Sequence, residues 1–284
     1  MQDRRIQAFL DRLAAVDGTA PLSDAKTVQL ADPERLVLIE EDGEVVALGA
    51  TARHLHDDGS HHWAVETALN PGLRFPAFED RLVESALSLT PQGESVSVWS
   101  HRASLDAALE RAGFETVREL AHFTVQLPIE YAGDGLDTRR LKPRDISDVI
   151  ALNRAAFSSH REAASLDEAE LRRLLGRKGL GPGGFLILEE SGEMVGFCWT
   201  RVHKNGDGEI FRIAVSPKHQ GRGLGRSLVL AGFAYLAERS DVSRGTLWVD
   251  LNNAPAVSLY ESLGMTQDSI NREFEKLKTV NREP

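Results

Sequence analysis

The chain is poor in cysteine, in positive charge and in long apolar runs. Among its 284 residues there is one cysteine, Cys198. One thiol excludes an intramolecular disulfide framework and a zinc site built on cysteines. No apolar run approaches the roughly 18 residues of a membrane-spanning helix. The opening stretch MQDRRIQAFLDRL has no apolar signal core. Lysine and arginine number 33 against 43 acidic residues, a net charge of −10, which opposes nonspecific nucleic-acid binding. The nine histidines show no trustworthy metal spacing. His54, His56, His61 and His62 cluster in HLHDDGSHHW, which reads as a solvated hairpin connection rather than a metal centre. The expectation is a soluble cytoplasmic protein without metal, nucleic-acid partner or membrane anchor.

What is present suits a packed core: 42% hydrophobic and 27% charged residues. The charge is uneven. Residues 1–130 hold 11 Lys+Arg against 22 Asp+Glu, and the remainder 22 against 21. An anionic ligand should prefer the second half.

One pattern is used twice. EEDGEVVALGATARH (40–54) and EESGEMVGFCWTRVH (189–203) align without a gap, each as two strands joined at an acidic or polar residue followed by glycine, Asp42-Gly43 and Ser191-Gly192. Alternating strands WAVETALNP (63–71) and GEIFRIAVSP (208–217) come next, each closing at a proline. Helical stretches follow, FEDRLVESALSL (78–89) and LGRSLVLAGFAYLAERS (224–240). Then ESVSVWSHRASLDAALERAGFE (94–115) and GTLWVDLNNAPAVSLYESLGMT (245–266) each read as strand, polar loop and short helix, stopped at Gly113 or Gly264. Last strands are expected at 121–127 and 270–277, and leading helices at 6–16 and 145–157. The junction falls near YAGDGLD (131–137). The fold class expected is mixed α/β, as two tandem units over residues 1–132 and 138–284.

The densest signal is SPKHQGRGLGRSL (216–228), between a strand and a helix. Gly221, Gly223 and Gly225 let a ligand approach the backbone. The helix behind them offers unpaired N–H groups and a positive dipole end, the arrangement that binds phosphate. Lys218, Arg222 and Arg226 add charge. The order of glycines fits neither a Walker loop nor a dinucleotide fingerprint.

Gln220 to Gly225 fits Q/R-x-x-G-x-G/A, and in this the chain resembles the GNAT superfamily of acyl-CoA N-acyltransferases. A second family pattern, N-x-x-A-x-x-x-Y-x-x-x-G-F, is filled by Asn253, Ala256, Tyr260 and Gly264, with Met265 where Phe is usual. Two tandem units, APLSD early in the chain, the segment Ala156 to Glu162, WTRVH (199–203) and SLYESLGM also resemble the mycothiol synthase family of actinobacteria. That family transfers acetyl from acetyl-CoA to the cysteinyl amine of cysteinyl-glucosaminyl-inositol.

The resemblance implies roles. Gln220, Gly221, Arg222, Gly223, Leu224, Gly225 and Arg226 would hold the pyrophosphate of acetyl-CoA. Asn253, Ala254, Pro255, Ala256, Val257 and Ser258 would line its pantetheine arm. The backbone of Ile213, Ala214 and Val215, on a strand that splays from its neighbour in this fold, would bind the thioester carbonyl and pantetheine amides. Glu209 is the candidate base for the amine, and Tyr260 the candidate acid for the departing thiolate. Asp24, Glu162, Arg201 and Trp248 would join Glu209 and Tyr260 around the acceptor. Asp24 stands where the family has Glu, Arg201 where Lys is expected and Trp248 where Tyr is expected. Cys198, mid-strand among apolar neighbours, reads as a buried inert thiol, so direct transfer in a ternary complex is expected.

The first half keeps little of the turn. In NPGLRFPAFEDRL (70–82) Gly72 remains, Pro76 removes an N–H donor, Phe75 and Phe78 are bulky, and Glu79 and Asp80 bring negative charge to the helix start. This unit is expected to carry a degenerate cofactor site, to brace the other unit and to lend Asp24 to a substrate site between the two. Two alternatives stand beside the leading reading. One is a tandem N-acetyltransferase for an amino sugar, polyamine or protein N-terminus; the other is an acyl-CoA sensor without turnover. The duplication gives the expectation of a monomer.

Overall fold

The computed structural model describes residues 4–17, 22, 35–55, 61–129, 137–158, 166–239 and 241–276. Along the first half run α1 (Arg4–Asp17), β1 (Leu36–Glu41), β2 (Glu44–Leu55), β3 (His61–Leu69), α2 (Pro76–Leu87), β4 (Val96–Ser100), α3 (Ala103–Arg111) and β5 (Glu115–Gln126). The second half adds β6 (Thr138–Arg140), α4 (Ile146–Ala156), α5 (Glu168–Leu175), β7 (Phe185–Glu190), β8 (Glu193–Val202), β9 (Asp207–Val215), α6 (Leu224–Ala237), β10 (Arg244–Asp250), α7 (Ala254–Ser262) and β11 (Thr266–Lys276). The duplicated order read from the sequence is present. The short strand β6 and the helix α5 are additions that the repeat did not announce.

Local chemistry explains the punctuation. Asp42 and Gly43 sit at φ 50° and 79°, Ser191 and Gly192 at 52° and 83°. Paired positive φ angles make the tight hairpin turn whose twist matches the strands it joins. The helices α3 and α7 stop where Gly113 and Gly264 take φ near 80°.

The chain divides into two compact units, Met1–Glu119 with Ile270–Pro284, and Leu120–Ser269. This differs from the linear division 1–132 and 138–284 at the last strand of each half. In the first unit, Arg272–Lys276 of β11 pairs antiparallel with Ser100–Val96 of β4. In the second, Leu120–Gln126 of β5 pairs antiparallel with Asp250–Arg244 of β10. Each unit is therefore completed by a strand from the other half of the sequence. Phe274 and Phe123 anchor these strands, at 1% and 2% exposure.

Within the first unit α1 buries Ile6, Phe9, Leu10 and Leu13, one stripe at helical spacing, in a core with Val45, Leu48 and Ala68. On the other side α2 and α3 pack Val83, Ala86, Leu105 and Leu109 with Val65 and Val98. The second unit repeats this two-sided cover. Val149, Leu171 and Leu174 from α4 and α5 pack with Phe185, Phe197 and Trp199, and the Trp199 indole N–H donates to the Leu180 carbonyl at 3.0 Å.

On the opposite side of β8 and β9, α6 comes close enough that glycine is needed. A Cβ on Gly232 would stand 2.6 Å from Cys198 Sγ and 3.4 Å from Ile210. Gly232→Ala should lower stability by about 1–3 kcal/mol. Cys198→Ala in the same chain should restore most of that loss, read as the shift in the urea midpoint of the single and double variants.

Candidate active site

The site begins with a break in the sheet. The parallel pair β9–β10 runs from Asp207↔Arg244 to Ile210↔Leu247 and stops there. Beyond that point Arg212–Val215 keeps its partner β8 and has no register with β10. The β8–β9 ladder also slips at this place: Trp199 faces Arg212 and Thr200 faces Ile210, so Phe211 is an extra residue, a bulge. A bulge bends and twists its strand. The backbone of Ile213, Ala214 and Val215 thus lies along the opened edge, with polar groups available to a ligand.

The two sides of this opening differ. Ile210 and Cys198 turn toward α6, and Phe123 toward α7, where its ring lies 6.3 Å from Tyr260. Glu209 is one residue from Ile210 and so turns the other way, together with its cross-strand partners Arg201 and Thr246. Trp248, two residues after Thr246, shares that face, as does its partner His122. One side therefore carries helix ends and glycines, and the other carries charged and aromatic side chains.

On the helix side, Gly221 and Gly223 take φ 77° and 81°, and no described atom lies within 4 Å of where their Cβ atoms would be. Gly223 caps α6. Open space over left-handed glycines at a helix N-terminus is a fitting cradle for a pyrophosphate. Gln220 folds back to the Val215 carbonyl at 3.3 Å. Arg222 is exposed and bidentate on Glu190 at 2.8 and 3.0 Å, while Arg226 donates to Ser262 Oγ at 2.8 Å. Leu224 and Gly225 open α6 half-buried. Asn253 caps α7, its side chain accepting from Ala256 N at 3.3 Å. Ala254, Pro255, Val257 and Ser258 fill the first turns of α7 beside Ala256.

On the other side, Glu209 is buried at 4% exposure. Its Oε2 accepts from Arg201 Nε at 2.9 Å and Nη2 at 2.6 Å, and meets His203 Nε2 at 2.5 Å. All three contacts fall on one oxygen. Burial pushes the carboxyl pKa up, but the His203 contact and the Arg201 charge outweigh it and hold Glu209 below the usual carboxylate range. Arg201 also stands 4.9 Å over the Phe211 ring. Trp248 stacks on His122 at 4.6 Å, and His122 Nδ1 lies 2.7 Å from Asp268. His203 and His122 were not singled out from the sequence. WTRVH contained His203 in plain view, and only the fold shows that it reaches Glu209. Asp24 and Glu162 lie outside the described residues.

The first unit meets the same corner with different chemistry. Ala86 packs on Gly49 as Gly232 packs on Cys198, and 49 aligns with 198 in the repeat. That register puts Glu79 at the place of Gly225, and Thr67 at the place of Ile213. Arg102 holds the N-cap position of α3, as Asn253 does that of α7, but its side chain makes no cap bond. Arg102 donates to both Glu79 oxygens at 2.7 and 2.9 Å, to Thr67 Oγ1 at 2.9 Å and to the Thr67 carbonyl at 3.3 Å. Ser104 adds a bond to Glu79 at 2.8 Å. The ion pair is buried, with side-chain exposures of 7% and 0%. The β2–β3 ladder is unbroken from Ala47↔Leu69 to Leu55↔His61, so this unit also lacks the bulge.

An opened parallel strand pair, a glycine cradle at a helix N-terminus and a buried carboxylate across the gap define an acetyl-CoA-dependent N-acetyltransferase of the GNAT class. The family model described as "Acetyltransferase (GNAT) family" matches residues 147–265. The tandem GNAT protein from the clavulanic acid biosynthesis pathway superposes with a TM-score of 0.66 at 18% identity, covering 96% of this chain and 95% of that one. Mycothiol acetyltransferase of Thermobispora bispora is 31% identical over 94% of this chain and 93% of its own. That of Acidothermus cellulolyticus is 33% identical over 98% and 92%. The chain belongs to the mycothiol acetyltransferase family.

Among the described residues no helix is long and apolar enough to cross a membrane, and no group of three or more His, Cys, Asp or Glu could hold a metal ion. Cys198 is fully buried, and burial pushes its thiol up to about 12. Such a thiol is neither exposed nor ionised at neutral pH. Maleimide should leave the native protein unlabelled over hours and add one adduct per chain in denaturant, read by intact mass.

Proposed function

We propose that the second unit transfers acetyl from acetyl-CoA to the cysteinyl amine of cysteinyl-glucosaminyl-inositol, completing mycothiol. Family membership over nearly the full length of the chain supports the acceptor. The parting of β9 from β10 at Ile210 and Leu247 carries the chemistry, because it gives a cofactor on the α6–α7 side and an acceptor on the Glu209 side one common opening.

In this reading the α6 N-terminus and Gln220 to Arg226 hold the pyrophosphate, and Asn253 to Ser258 flank the pantetheine arm. Arg222 leaves or shares Glu190 to do so, at small cost, since both partners are partly exposed. Backbone N–H groups of Ile213 to Val215 hold the thioester carbonyl and the developing oxyanion. Arg201 and Trp248 border the acceptor. Glu209, ionised at neutral pH, attracts the ammonium, and Oε1 is the oxygen that receives its proton, directly or through water. The freed amine attacks the thioester carbon, the carbon–sulfur bond breaks, and the second proton that the nitrogen sheds in becoming an amide neutralises the departing thiolate.

Tyr260 meets that thiolate from α7. Burial pushes its phenol up to about 12. Tyr260 therefore serves as a hydrogen-bond donor to the departing sulfur, a narrower part than that of the acid expected from the sequence. A hydrogen bond to a charged group contributes about 1.5–3 kcal/mol. Tyr260→Phe should lower kcat by roughly 10- to 150-fold with little change in the KM for acetyl-CoA. The assay is acetyl-CoA consumption with cysteinyl-glucosaminyl-inositol beside a panel of amino sugars and polyamines. Turnover with another amine alone would replace the acceptor while sparing the acetyltransferase.

The first unit, in the same reading, carries no acetyl-CoA. Arg102 and Glu79 occupy the places that a pantetheine arm and a pyrophosphate need, and their pair is costly to break, at about 3–5 kcal/mol. Calorimetric titration should give one equivalent of acetyl-CoA per chain. Two tight equivalents would overturn this assignment.

A further inference from the structure

We propose that His203 is a positioning residue that sets the proton affinity of Glu209, weakening the carboxylate as a base when the imidazole is charged and releasing it when the imidazole is neutral. The inference rests on the reading of Glu209 as the group that receives the ammonium proton.

Glu209 has two cationic or potentially cationic neighbours, and both act on Oε2. Arg201 is charged at every working pH. Histidine is the side-chain type that can change charge near neutrality, and His203 is the histidine on that oxygen. Its side chain is 37% exposed while that of Glu209 is 6% exposed, so the imidazole exchanges protons with solvent more readily than the carboxylate it touches. The backbone holds His203 in place: its N–H donates to the Asp207 carbonyl at 2.9 Å, and its carbonyl accepts from Gly206 N at 3.1 Å.

The other charges around the imidazole are accounted for among the described residues. Asp207 on β9 also feels the His203 charge, but it is bidentate on Arg244 of β10 at 2.8 and 2.5 Å and accepts from Asn205 at 2.9 Å. Arg201, on β8, shares the Glu209 oxygen. Lys204 follows in the turn. The Arg244 contacts hold Asp207 below its usual range, and arginine and lysine are cations of high intrinsic pKa, so the imidazole is the switchable partner of Glu209.

A base facing two cations binds a proton more weakly than a base facing one. Activity should therefore fall in acid as His203 gains its proton, and the acid limb belongs to the coupled pair rather than to Glu209 alone. His203→Gln keeps an N–H donor for Oε2 and removes the ionisation. The measurement is kcat against pH at saturating acetyl-CoA and acceptor, wild type beside His203→Gln, with Glu209→Gln as reference. The acceptor's own titration is common to all three. The acid limb in His203→Gln should move at least about one pH unit toward acid. Loss of kcat in Glu209→Gln together with an unchanged acid limb in His203→Gln would overturn the inference and leave the role of Glu209 standing. Wild-type kcat in Glu209→Gln would remove that role and this inference with it.

Discussion

The parting of β9 from β10 is the constraint on which the rest of the second unit depends. A parallel strand pair that stayed joined to its end would spend its backbone groups on the ladder and leave nothing for a ligand. β9 leaves β10 after Ile210, and the bulge at Phe211 falls at that point, whereas β3 leaves β4 after Val65 with its β2 ladder unbroken. β9 keeps β8 on one side, so it stays rigid while its other edge is free. Two helix N-termini, those of α6 and α7, follow directly from the two strands that separate. The site is thus made from backbone first, and the side chains tune it.

The two units show what that backbone frame does and does not determine. Both have a short parallel pair followed by a helix, and in both a small residue lets the helix close on the sheet, Gly49 under Ala86 and Gly232 over Cys198. In one unit the corner is lined by glycines, in the other by a buried carboxylate and guanidinium. Glu79 supplies from within the chain the negative charge that the second unit leaves open at the same place. Arg102 pairs with it and binds Thr67, so the corner is electrically and sterically complete. The first copy satisfies internally the groups that the second copy presents outward.

This contrast also shows which parts were legible in the sequence. The hairpins could be read because a two-residue turn demands positive φ, which Asp42-Gly43 and Ser191-Gly192 tolerate. The helix ends could be read because Gly113 and Gly264 sit one step past an apolar stripe. The cofactor turn could be read because glycine, charge and helix start coincide in one stretch. The bulge could not, since Phe211 is an ordinary strand residue and only its partners reveal the slip. The exchange of last strands could not, because β5 and β11 have the same alternating character and either would suit either sheet edge. Arg102 and His203 were hidden for a related reason. Each acts through a partner distant in sequence or across a turn, Glu79 in one case and Glu209 in the other. Glu79 itself was seen as charge at a helix start, without the guanidinium that buries with it.

Burial sets the acid–base character of both candidate catalytic groups, and in opposite ways. Tyr260 is buried beside Phe123, and that burial makes its phenol hold its proton more tightly. Glu209 is enclosed as deeply, but its enclosure includes Arg201 and His203, and the carboxylate stays ionised. The groups on either side of the opening are thereby poised as a neutral donor and an anion. That polarity suits a reaction in which a cationic acceptor must be drawn in on one side and a developing thiolate stabilised on the other. A carboxylate buried without cations would take up a proton and lose its attraction for the ammonium. One bound only to permanent cations would be too weak to relieve the ammonium of its proton. A partner whose charge varies, set on the same oxygen as a permanent one, lets the proton affinity of a buried, ionised carboxylate rise as the imidazole loses its charge.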